Sequence, residues 1–144
     1  MKIYDFAIVF VLAVIYLLQT HQVNSASMST DNEPQVYIIS PENGDEVTSP
    51  FTVKFGSKSV DIVAAGVEMK NSGHHHLLVN QNSLPDMNLP IPADSNHLHF
   101  GGGQTETVLT LEPGVHSLQL LLGDYAHVPH VPPIMSEKII ITVK

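Results

Sequence analysis

What most limits this chain's possible folds is a series of short segments, four to nine residues each, rich in β-branched or alternating apolar residues. They are "QVYII" (35–39), "FTVKFG" (51–56), "VDIVAA" (60–65), "HHLLVN" (75–80), "HLHF" (97–100), "TETVLTL" (105–111), "VHSLQLLLG" (115–123) and "KIIITVK" (138–144). Each reads as a strand, and no amphipathic helix competes with them. The intervening segments carry turn chemistry: Pro41 before Asn43-Gly44, Pro113-Gly114, and the three glycines of "FGGGQ", which read as turn glycines able to take positive φ. About seven or eight strands at this spacing predict an all-β protein, an immunoglobulin-like antiparallel β-sandwich.

The N-terminus follows another logic. Lys2 precedes an unbroken apolar stretch from Phe6 to Leu18, and small residues follow at Ser25 and Ala26. This is the pattern of a cleavable secretory signal over 1–26, and it is shorter than the ~18–20 apolar residues a membrane span requires. The expected organisation is a signal peptide, a flexible linker over 27–34, and one domain over 35–144, secreted or periplasmic, with no membrane span after cleavage. Cysteine is absent, so an exported domain of this size depends on its core, with or without a ligand, and thiol chemistry is excluded. Fourteen acidic residues against six lysines and no arginine leave none of the basic footprint needed to grip phosphates, which excludes nucleic acid as a partner.

Between the strands ending at Asn80 and beginning at His97 lies "QNSLPDMNLPIPADSN", sixteen residues with three prolines and no periodicity. A connection this long is either a cover over a site or a loose loop. Its prolines beside Leu84, Leu89 and Ile91 point to a loop packed on the sheet.

Four stretches, "SPENGDEVTSPFTVKFG", "GHHHLLVN", "IPADSNHLHFGGGQTETVLTL" and "LQLLLGDYAHVPHVPPIMSEKIIITV", occur in an order and spacing that resemble the secreted family called domain of unknown function 4399. The resemblance covers residues 36–143. It implies a small exported β-domain, found mostly in bacteria, with no established activity. The stretch "SKSVDIVAAGVEMKNSG" departs from the pattern, which leaves the strand boundaries there open.

Function is therefore read from the histidines. Eight follow the expected signal: His74, His75, His76, His97, His99, His116, His127 and His130. Strand residues two apart share a face and lie ~6–7 Å apart, so His74 pairs with His76 and His97 with His99. Leu98 and Phe100 are the natural core residues of "HLHF", which turns His97 and His99 to the opposite face. His75 falls in phase with Leu77 and Val79, and His116 with Leu118, Leu120 and Leu122. Both are expected in the core, His116 hydrogen-bonded there. His127 and His130 flank a Val-Pro bend, with Asp124 as an acceptor able to orient an imidazole.

The metal candidates are thus His74, His76, His97, His99, His127 and His130. Imidazole without thiolate suits copper or zinc, and nickel among rarer metals, and disfavours magnesium and calcium. Met69, Met87 and Met135 are available to copper(I), though methionine serves more often as filler. The expected function is an exported binding domain for a transition metal. The alternatives are a protein- or glycan-interaction module without metal and a copper-dependent redox enzyme. A hydrolase is excluded by the lack of a G-x-S-x-G elbow, and a histidine-brace oxygenase because His21 is not positioned to become a mature N-terminus. No catalytic residue and no organic cofactor is assigned.

Overall fold

In β3 (Phe51–Lys58), Val53 and Phe55 are buried while Thr52 and Lys54 between them are exposed, the period of two that a one-sided sheet requires. This strand lies between β1 (Gln35–Ser40) and β7 (Glu106–Leu109), antiparallel to both. The computed structural model describes residues 32–144. The expected signal peptide and most of the linker lie outside the described residues.

A second sheet contains six strands. Its order is β2 (Glu46–Val47), β9 (Ile139–Val143), β8 (Gly114–Gly123), β5 (Ser72–Val79) and β4 (Asp61–Ile62), with β6 (His97–His99) also paired to β5. Leu77 and Val79 from β5, Leu118, Leu120 and Leu122 from β8, and Ile141 and Val143 from β9 share one core with Val36, Val53, Phe55 and Leu109 of the first sheet. The protein is therefore all-β, in two sheets, with no helix among the described residues.

The central pair β5–β8 is buried on both faces. All eight residues of β5 are buried, as are Leu118–Gly123 of β8. This is why "LLV" (77–79) and "LLL" (120–122) break the apolar–polar alternation of a one-sided strand. The second face carries Leu78 and Leu121, covered by Ile91 and flanked by Met87 and Met135. Ile91 comes from the long 81–96 connection, and its N–H donates to the His127 carbonyl at 2.8 Å.

Several expectations change. The pairs β2–β9 and β4–β5 are parallel, so the second sheet is not wholly antiparallel. The strand expected over 60–65 contracts to Asp61–Ile62, because the chain turns away through Gly66, at φ +83°. Only Ile91 of the long loop is buried. Leu84 and Leu89 are 44 % and 57 % exposed, swung outward by a turn in which Asp86 accepts from the Asn88 N–H. His116 is half-buried near the start of β8 rather than fully buried, yet hydrogen-bonded as expected: Asn80 Nδ2 donates to its Nδ1 at 3.0 Å, and its Nε2 donates to the Glu112 carbonyl at 2.8 Å.

The burial pattern generates a contrast measurable by urea unfolding. Leu120, fully buried between the sheets, should lose about 2–5 kcal/mol on truncation to alanine. Leu84→Ala should stay within about 0.5 kcal/mol of the wild type. Equal losses at the two positions would contradict the seating of the long loop.

Candidate metal centre

Strand parity sorts the histidine triplet. His75 points with Leu77 and Val79 into the shared core, its ring 5.2 Å from that of Phe55. His74 and His76 point to the other face. Antiparallel pairing then selects one residue of the second pair: His99 lies opposite His76, whereas His97 lies opposite Leu78, farther from His74.

The fourth ring comes from the turn after β8. Asp124 Oδ1 accepts from the N–H groups of Ala126 and Val128 at 2.8 and 2.9 Å, and the Asp124 N–H donates to the Val128 carbonyl. His127 sits inside this loop at φ 68°, a left-handed conformation held by those bonds. Asp124 thus shapes the backbone that presents His127, where a direct bond to an imidazole was expected.

The result is a knot of four imidazoles. Ring centroids lie 4.8 Å apart for His74–His76, 5.0 Å for His74–His99, 4.9 Å for His74–His127, 5.1 Å for His76–His99, 4.8 Å for His99–His127 and 6.1 Å for His76–His127. His74 and His76 are fully buried, His127 is half-buried and His99 exposed. The cluster therefore runs from the sheet to the surface.

Two glycines make the space. A Cβ on Gly123 would stand 2.7 Å from His76 Cε1 and 3.3 Å from the His127 Cα; one on Gly101 would stand 2.4 Å from His99 Cε1. Gly103 has the positive φ of a turn glycine, at +76°, but its neighbour Gly101 serves the histidines. The sequence signal was present in "FGGGQ", and only the fold separates the two roles.

Burial and neighbouring imidazoles lower the pKa values of His74, His76 and His99, and burial that of His75. Burial pushes His76 down to about 3, helped by His74, His99 and His127. Burial, then His127 and His99, pushes His74 down to about 4 against the opposing pull of Asp124. Burial alone brings His75 to about 4, and burial with His127 lowers His99. Both ring nitrogens of His74, His75 and His76 are buried without a hydrogen-bond partner. Such groups are costly, at about 1–3 kcal/mol each. A neutral imidazole with a free lone pair is also the form that ligates metals.

His74, His99 and His127 each offer a ligand atom, and these atoms lie within 4.8 Å of one another. Tetrahedral Zn–N bonds of ~2.0–2.1 Å set ligand nitrogens roughly 3.3 Å apart, so the three atoms would have to close by up to about 1.5 Å to share one ion. With that closure three histidines can form a metal site. Of the six candidates, the structure brings together His74, His76, His99 and His127. It places His97 on Asp94, Nδ1 to Oδ1 at 2.9 Å, in a turn where the same oxygen accepts from the Asn96 N–H. His130 lies outside the ring contacts, with a buried Nε2 that has no hydrogen-bond partner. Met87 and Met135 pack against Leu78 and Leu121 as filler, and Met69 is 45 % exposed.

The family model described as "Domain of unknown function (DUF4399)" matches residues 53–144. That span contains all four clustered histidines and both glycines, but begins after the "SPENGDE" turn. No curated protein and no solved structure matches the chain.

The depressed histidines dictate how the metal-free protein responds to acid. Above the ordinary imidazole value of 6.5 both folded and unfolded chains are neutral at these positions. Below it the unfolded chain takes up protons that the fold refuses, so stability falls until the folded values near 3 to 4 are reached. Each such histidine contributes a slope of about 1.4 kcal/mol per pH unit. Urea unfolding between about pH 7 and pH 5 should show this loss, and His75→Leu should reduce the slope by about one proton's worth. A flat profile would mean that the buried rings titrate normally.

Proposed function

The chain belongs to the DUF4399 family, whose description assigns no activity, and from the site itself we propose an exported domain that binds one transition-metal ion, copper or zinc, through clustered histidines. The observation that carries this reading is the convergence of ligand atoms from His74, His99 and His127 within 4.8 Å of one another, beside His76, with both ring nitrogens of His74 and of His76 buried and without a hydrogen-bond partner. A structural role for the cluster would normally pair those nitrogens with carbonyls or carboxylates, as Asp94 does for His97 and Glu112 for His116. A metal satisfies His74, His99 and His127 at once. The donors are all imidazole, which suits copper(II) or zinc and leaves calcium and magnesium without the oxygens they require.

Export rests on the leader pattern over 1–26. The architecture is read as an immunoglobulin-like sandwich. Two features support this: the order β1-β3-β7 opposite β9-β8-β5 reproduces the A-B-E and G-F-C groupings of that fold, and the two sheets share one core.

Metal content after equilibration of the untagged protein with copper or zinc, followed by desalting, tests the proposal. About one ion per chain is expected. His99→Ala and His127→Ala should abolish stoichiometric binding, whereas His97→Ala and His116→Ala should retain it. Gly101→Ala should weaken binding with little change in stability, because the new methyl displaces the exposed His99 ring rather than backbone. A wild-type protein that remains metal-free sinks the proposal, and so does loss of metal from His97→Ala but not from His127→Ala.

A further inference from the structure

On the metal reading just given, we infer that the centre keeps one coordination position open to solvent and takes a small monoanion there, with His74, His99 and His127 as its protein ligands and His76 as the wall behind them. Three sets of observations lead to this arrangement.

The first concerns reach. The ligand atoms that converge within 4.8 Å belong to His74, His99 and His127, and His76 is not among them. Its ring lies 4.8 and 5.1 Å from those of His74 and His99 but 6.1 Å from that of His127. An ion equidistant from the three converging nitrogens is held at the outer side of the cluster, away from the fully buried His76.

The second concerns access. Of the three converging rings, one is exposed and one half-exposed, so the ion sits at a mouth rather than in a sealed chamber. Gly101 presses against the exposed His99 ring and has no side chain to extend over it. Tetrahedral sites with three protein ligands keep their fourth position for water or an incoming ligand.

The third concerns charge. All three donors are neutral, so a divalent ion retains its full double charge on binding. The neighbouring carboxylate, Asp124, is turned to the backbone of its own loop, where Oδ1 accepts from Ala126 and Val128. The Asp94 carboxylate is likewise engaged, by His97 and Asn96. An open position on a dication held by three neutral ligands favours a small anion over a neutral molecule, even with the Asp124 charge felt at His74, and the same field acidifies a bound water. The ligand class is therefore a compact monoanion of the size of azide or bicarbonate, bound through one atom.

Cobalt(II), which reports its coordination in the visible spectrum, tests this with azide as the probe. Wild-type protein loaded with one cobalt should show bands that shift on azide addition and saturate at one azide per cobalt. His76→Leu, of similar volume but unable to ligate, should still hold one cobalt and respond alike. Should this variant fail to fold, His76→Gln takes its place, and the wild-type titration decides independently of both. Bands that stay unchanged at saturating azide would overturn the inference in favour of a closed four-imidazole site while leaving metal binding intact. A folded His76 variant that no longer holds cobalt would overturn it in the same way. Failure of the wild type to take up cobalt would remove the metal reading and the inference together.

Discussion

The pairing of β5 with β8 is the interaction on which the rest of the molecule depends. Six residue pairs, from His74–Gly123 to Val79–Leu118, join two strands whose side chains are buried on both faces. One face supplies Leu77, Val79, Leu118, Leu120 and Leu122 to the core shared with the smaller sheet. The other is roofed near Leu78 and Leu121 by the long loop, and near His74 and His76 by the turn after β8. Because a strand alternates its side chains, this one ladder commits His75 to hydrocarbon and its two neighbours to the histidine cluster.

The arrangement works against stability. Three imidazoles at zero exposure have unpartnered nitrogens and lowered pKa values, and burial is the first cause of each shift. The surrounding apolar ladder must offset that desolvation. Polar groups buried at such expense without partners are unusual in a fold with ample room for leucine, and two of the three, His74 and His76, share one face of one strand pair. For His74 the geometry offers a reason in the neighbouring His99 and His127. For His75, packed on Phe55 in the core, no comparable reason is apparent.

The loops complete what the sheet begins. Asp124 closes the turn that holds His127 in a left-handed conformation, and the His127 carbonyl in turn receives the Ile91 N–H of the long loop. The long loop and the turn that carries His127 are thus joined by a backbone bond beside the cluster. Function in such a domain resides in the site and not in the sheet architecture, which is common to proteins of many activities.

Much of this was legible in the chain itself. The alternation in "FTVKF", the turn residues and the lack of any helical stripe determine an all-β protein, because a period of two suits one-sided burial on a sheet and nothing else. The phase of "HHHLLV" likewise determines that His75 and its neighbours part company. What sequence spacing does not contain is register across strands. His97 and His99 are equivalent by local pattern, but the antiparallel ladder sets His99 against His76 and His97 against Leu78, where Asp94 takes its ring. Nor does the sequence distinguish Gly101, which makes room for His99, from Gly103, which turns the chain. Periodicity assigns a side chain to a face because that depends only on backbone geometry within a few residues. The convergence of four rings from two strands and a turn depends on contacts between distant segments, and only the packed tertiary structure decides it.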